Sequence, residues 1–192
     1  MNRRGRLVAV LVAVLAALLL QVTVLPHFAW DVGGLGVVPD LVLLVVVATA
    51  VVTDTRFATL TGFWAGLLLD IAPPADHLAG RWALALMVVG YVVGRLVHDN
   101  AGDVGARRAP LALVLAAAAG GSFVGTSVFA LTGLLLGDSG AGIGDLLPVA
   151  LVALVLDMVA ALVVVPATAW LYARATSGGT TPRASQRLRA RV

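Results

Sequence analysis

The 192-residue chain contains no cysteine, no lysine and no glutamate. The first absence excludes disulfides, thiolate nucleophiles and Cys-ligated metal sites. The other two mean that all thirteen cationic side chains are Arg and all ten acids are Asp, the residue choice of GC-rich coding rather than of a particular chemistry. Charge is scarce as well: 12% of residues carry one, against about 25% in a soluble domain. Apolar residues take the remaining space, 60% of the chain, with a mean hydropathy of +1.02. A unit of this size cannot hide so much apolar surface in water, so the solvent that suits it is lipid.

The apolar runs predict an all-α, polytopic fold of six transmembrane helices over residues 1–172, with spans near 7–25, 39–52, 57–72, 82–97, 110–136 and 146–171. The first run follows Arg3, Arg4 and Arg6. It is longer than the 7–15 residues of a signal-peptide core, and no A-x-A-like site closes it, so it reads as a span ended by Pro26. Pro39 opens the second span, where a missing amide costs nothing, and Asp40 suits the positive end of that helix's dipole. Spans two and three are at or below the usual length. Residues 26–38 and 73–80 read as outer loops, the first with three glycines and Trp30, the second kept non-helical by its prolines. Residues 98–109 and 137–145 read as a polar loop and a flexible turn, and 173–192 as an Arg-rich disordered tail.

The arginines predict the orientation. Arg3, Arg4, Arg6, Arg56, Arg95, Arg107, Arg108 and the five from Arg174 onward fall on the side of the N-terminus, and only Arg81 falls opposite. Twelve against one predicts both termini in the cytoplasm, and the basic pI of about 10.5 then reflects membrane orientation rather than nucleic-acid binding. The tail is also suited to weak contact with anionic lipid.

Several residues stand out within the spans. Gly62, Gly66 and Asp70 recur every four residues and drift only about 40° from one to the next, so they form one stripe on one helical face. Small residues allow another helix to approach closely, and an acid there is kept because something pairs with it. Gly90 with Gly94 and Gly121 with Gly125 repeat the spacing and are read as helix-packing contacts. Asp157 lies mid-span, where a charge costs roughly 2.5 to 3.5 kcal/mol on insertion scales. It is expected to face the interior and to be satisfied by Ser122, Thr126 or Ser127 on span five. The sequence shows no second ionisable group at its depth, which argues against a proton relay. Gln21 is a further polar residue within a span. Asp40 and Asp70 are placed toward outer helix ends, within reach of water or a neighbouring amide.

Signals for catalysis are thin. His98 and Asp103 have an H-x4-D spacing but share a short loop, and Ser122 and Ser139 each lack the second glycine of G-x-S-x-G. His27, His77 and His98 are scattered over different loops, which makes no metal site, and no phosphate-binding or dinucleotide fingerprint occurs. The expectation is a protein that is not an enzyme and uses no cofactor or metal.

From Gln21 to Gly94 the chain resembles the MreD family of bacterial rod-shape-determining membrane proteins. The resemblance rests on LLLQ with Leu25 and Pro26, PDLVLLVVV from Pro39, GFWAGLLLDIAPPADHLAG from Gly62, RWAL from Arg81 and VGYVVG from Val89. The APPADH segment is similar to actinobacterial members. The second half matches mainly in having two more spans, so Asp157 inherits no role. The resemblance implies a multi-pass protein of the bacterial cytoplasmic membrane, with a fold similar to the substrate-binding subunits of energy-coupling-factor transporters. It also implies a non-enzymatic scaffold of the peptidoglycan elongation machinery. Its partner would be an MreC-like protein with one membrane anchor, and through that the MreB filament, a RodA-type glycosyltransferase and a class B transpeptidase. The expected partner surface is Gly62, Phe63, Gly66 and Asp70 with Pro73, Pro74 and His77 of the adjoining loop. The fold analogy supplies an alternative, a solute-binding subunit of a vitamin-type transporter. Such a subunit needs a pocket with several convergent polar groups.

Overall fold

A computed structural model describes residues 3–32, 35–73, 78–100, 110–137 and 143–177. Six helices carry the fold: α1 (Arg3–Leu19), α2 (Leu41–Val52), α3 (Thr55–Ile71), α4 (Arg81–Asn100), α5 (Leu111–Leu135) and α6 (Ile143–Ser177). Four helical segments are long and apolar enough to cross a membrane: Arg4–Phe28, Arg81–His98, Leu111–Leu135 and Leu147–Thr176. Helix α3 has 17 residues, and α2 has 12, about 18 Å at 1.5 Å per residue.

That shortest helix is the centre of the molecule. Every residue from Val42 to Ala50 is buried, and α2 touches each of the other five helices. A helix apolar on all sides has no face to offer water, so it belongs inside the ring of its neighbours. The outside of that ring is apolar too: Leu7, Phe123, Leu135 and Val163 are all more than half exposed. Contacts at the two ends fix the alternation of the helices. At one end Arg6 pairs with Asp54 at 3.1 Å and lies over the rings of Phe57 and Tyr172. His98 Nε2 meets the Thr53 carbonyl there. The start of α1, the α2–α3 turn and the ends of α4 and α6 therefore share that end. At the opposite end Arg81 donates to the Phe129 carbonyl at 3.0 Å and stacks on its ring.

The connections differ from expectation. The first helix does not stop at Pro26. It passes into a π turn, Leu20–Val24, and a 3-10 turn, Leu25–Phe28, because proline at the second position of a helical turn removes an amide that had no partner there. Residues 26–38 are not all loop: β1 (Trp30–Val32) and β2 (Leu35–Val37) pair antiparallel, Trp30 opposite Val37. The fold is thus helical, as expected, with one small hairpin added. Helix α4 runs through His98 to Asn100, so the polar segment there begins as helix, and α6 continues past residue 172 to Ser177. Pro74, His77 and the tail from residue 178 lie outside the described residues.

Candidate functional site

The small-residue stripe is the seam between α3 and α4. A Cβ at Gly62 would overlap the Leu86 carbonyl, one at Gly66 the Trp82 carbonyl, and one at Gly90 the Ala58 carbonyl, while Gly94 faces Thr55. Two glycines on each helix let the antiparallel backbones touch, which is the purpose of the spacing in lipid, where apolar burial alone gives helices no reason to associate. Asp70 closes this seam. Its Oδ2 accepts from the Gly80 and Ala83 amides at 2.8 and 3.0 Å, and its Oδ1 from the Trp82 amide at 3.0 Å. One carboxylate thereby satisfies three of the amides at the start of α4, which have no intrahelical partner. The expectation that Gly62, Gly66 and Asp70 form a surface for a partner is corrected: α4 covers all three, and Asp70 is 3% exposed. Of that expected surface, Phe63 is half-buried and Pro73 exposed.

A second polar group gathers where α2 begins. Asp157 lies in the middle third of α6 and Ser122 near the midpoint of α5, and both meet the N-terminus of α2. Helix α2 therefore starts halfway along the bundle, and the hairpin, which packs on α6, fills the length that α2 leaves. Four amides at the start of any helix need acceptors. Here Asp157 Oδ1 accepts from the Asp40 amide at 2.7 Å, Gln21 Oε1 from Val42 at 3.0 Å, and Asp40 Oδ1 from Leu43 at 2.9 Å. Ser122 adds its hydroxyl to Asp157 Oδ2 at 2.6 Å. Anionic acceptors at this position also oppose the positive end of the helix dipole.

Three expectations about this group are corrected. Asp40 is the half-buried N-cap of α2, and its amide donates to Asp157 midway along the bundle, so Asp157 does have an acidic neighbour at its own depth. Ser122 reaches Asp157, but Thr126, one turn further along α5, and Ser127, about 140° round the helix from Ser122, are both exposed. Gln21 was legible as a lone polar residue but not as the acceptor that caps α2. The remaining packing glycines line α5, Gly121 against Val47 and Val89, and Gly125 against Leu43 and Val89.

Beside Gln21 a cleft of about 200 Å³ separates the end of the first helical segment from α3 and α4. It is lined by Gln21, Val22, Pro26, Val38, Leu69, Ala72, Pro73 and Trp82. Its Gln21 side chain is already engaged with the Val42 amide. At the Arg6 end, the Phe57 amide, with Arg6 beside it, holds the Asp54 carboxyl below the usual carboxylate range. Among the described residues no group of three His, Asp or Glu side chains is placed to hold a metal ion.

No protein-family model matches the chain, and no curated protein or solved structure matches it either.

Proposed function

We propose that the chain is a scaffold of the MreD type in the bacterial cytoplasmic membrane. In this reading all six helices are membrane-embedded, with both termini cytoplasmic, and the protein holds an MreC-like partner within the peptidoglycan elongation machinery. The observation that carries a scaffold over a catalyst or a carrier is the use made of the polar side chains. Gln21, Asp40, Asp70, Ser122 and Asp157 are spent on backbone amides and on one another, so these five offer no convergent set of groups to a solute. The short α2 is enclosed by its neighbours, which is one way to accommodate hydrophobic mismatch.

With the glycine stripe covered, this reading places the partner's single membrane helix on the outward side of α3. Leu60, Trp64 and Ile71 are 59%, 61% and 69% exposed, and Phe63 braces Trp64 edge to face at 5.4 Å. A braced aromatic is the kind of residue that anchors an interface. Affinity purification in mild detergent with the MreC-like protein tests the reading. Trp64→Ala is expected to lower recovery of the partner by about 30-fold in affinity, the equivalent of a 2 kcal/mol anchor, while membrane insertion is unchanged. Undiminished recovery, or a small solute that stays with the purified chain, would sink it. Because the chain has no cysteine, single engineered cysteines on residues 178–192 report the orientation directly.

A further inference from the structure

The glycine seam between α3 and α4 has an open side, and we propose that this side is a binding site for an anionic phospholipid of the cytoplasmic leaflet. The site presupposes the membrane-embedded reading above. Gly94 of α4 meets Thr55 of α3 across the seam, at the end of the bundle that holds Arg6. Arg56 and Arg95 are the next residues on the two helices, each about 100° further round. Because the helices are antiparallel, equal steps turn both side chains to the same side of the seam, and both are exposed. Packed helix axes lie about 8–10 Å apart, close enough for two guanidinium forks to grip one phosphate. Asp54, two residues before Arg56, is spent on Arg6.

Beneath the arginines the same side of each helix turns apolar. On α3, Phe63 and Leu67 follow Arg56 at seven and eleven residues, and on α4, Tyr91, Val88 and Leu84 precede Arg95 by four, seven and eleven. That recurrence marks a single helical face. Tyr91 and Leu84 are 52% and 40% exposed, while Phe63, Leu67 and Val88 are half-buried. Eleven residues rise about 16 Å, half of a hydrocarbon core of about 30 Å. The furrow is therefore one leaflet deep and carries two positive charges at its mouth, which matches the length and charge of a phospholipid with an anionic head. Arg4 and Arg174 are exposed as well, but they belong to α1 and α6, outside this seam. They measure what general attraction at the rim contributes.

Titration of the full chain in detergent with phosphatidylglycerol or phosphatidylcholine, read by native mass spectrometry, compares the first lipid bound. An arginine near the membrane surface strengthens the attraction of an anion about fivefold. The parent chain should therefore hold phosphatidylglycerol about 30-fold more tightly than phosphatidylcholine. Arg56→Gln and Arg95→Gln should each lower that ratio about fivefold, and the double variant should abolish it, while Arg4→Gln and Arg174→Gln leave it unchanged. If the last two lower it as far as the seam variants do, the attraction belongs to the whole rim and the site is overturned. Displacement of the lipid by inorganic phosphate, which has no use for the furrow, overturns it too. Carbonate washing of the membranes separates the two levels: a chain that stays embedded yet shows no preference overturns the lipid site alone. A chain that is washed out overturns the membrane reading and the site with it.

Discussion

Replacing Asp70 separates a cap from a partner contact. Its carboxylate accepts three amides at the start of α4, two on Oδ2 and one on Oδ1, in a place almost closed to solvent. An N-cap deletion at a surface costs about 0.5–2 kcal/mol, whereas each buried amide left without an acceptor costs about 1–3 kcal/mol. With some relaxation of the α4 start, Asp70→Ala is expected to lose about 3–5 kcal/mol. Asn in the same rotamer keeps a carbonyl where Oδ2 stood and so retains Gly80 and Ala83. Its amide group turns a donor toward the Trp82 amide, so Asp70→Asn is expected to lose about 1–2 kcal/mol, the cost of one such amide. Equilibrium unfolding of the purified chain in mixed micelles, followed by tryptophan fluorescence, gives both numbers. The ordering wild type, Asn, Ala is the signature of the cap. If Asp70→Ala unfolds within about 0.5 kcal/mol of wild type, the level of an ordinary surface substitution, the reasoning fails.

The glycines give a matched pair of measurements. Gly66→Ala places a methyl against the Trp82 carbonyl and should destabilise by about 1–3 kcal/mol through overpacking. Gly120→Ala, where an added Cβ meets nothing within 4 Å, should be neutral or gain up to about 1 kcal/mol of helix propensity. Thermal unfolding in detergent compares them. Asp54 supplies a pH dependence. Its carboxyl titrates below the ordinary value because the folded chain hydrogen-bonds the ionised form. The stability it adds is therefore present above about pH 4 and is lost as the pH falls through the folded value. Wild type should exceed Asp54→Asn at pH 6, and the two should converge in acid. Parallel curves down to pH 2 would refute the assignment.

The sequence carried the local features and not the pairings. Apolar runs and prolines located the helices because each signal lies within one stretch of chain. The four-residue spacing of Gly62, Gly66 and Asp70 was also legible, but spacing says only that a face is small. It does not say whether the helix that covers it is α4 of the same chain or a partner's. The hairpin was hidden because its strands are three residues each, too short for an alternating pattern to rise above a glycine-rich loop. Gln21, Asp40, Ser122 and Asp157 were each conspicuous as polar residues in apolar surroundings. Their convergence depends on α2 starting midway along its neighbours, a tertiary fact that no spacing encodes.

That midway start has a consequence for how the bundle is specified. In lipid, helices gain no hydrophobic energy by associating, so packing and polar contacts must select the arrangement. A helix that begins inside the bundle exposes amides that lipid cannot satisfy, and each costs several kcal/mol unless a neighbour answers. From the outer helices, α1 through Gln21 and α6 through Asp157 supply acceptors to these amides, and α5 supports Asp157 through the Ser122 hydroxyl; a rotation of any one of these helices by a residue withdraws its group. The polar contacts thus fix the rotation of three outer helices around α2, while the glycine seam fixes α3 on α4. With these groups turned inward, what an outside partner meets on α3 is aliphatic and aromatic surface. On the proposed reading, selectivity for a partner helix at this face has to come from shape, with Trp64 as its largest projecting side chain, rather than from charge.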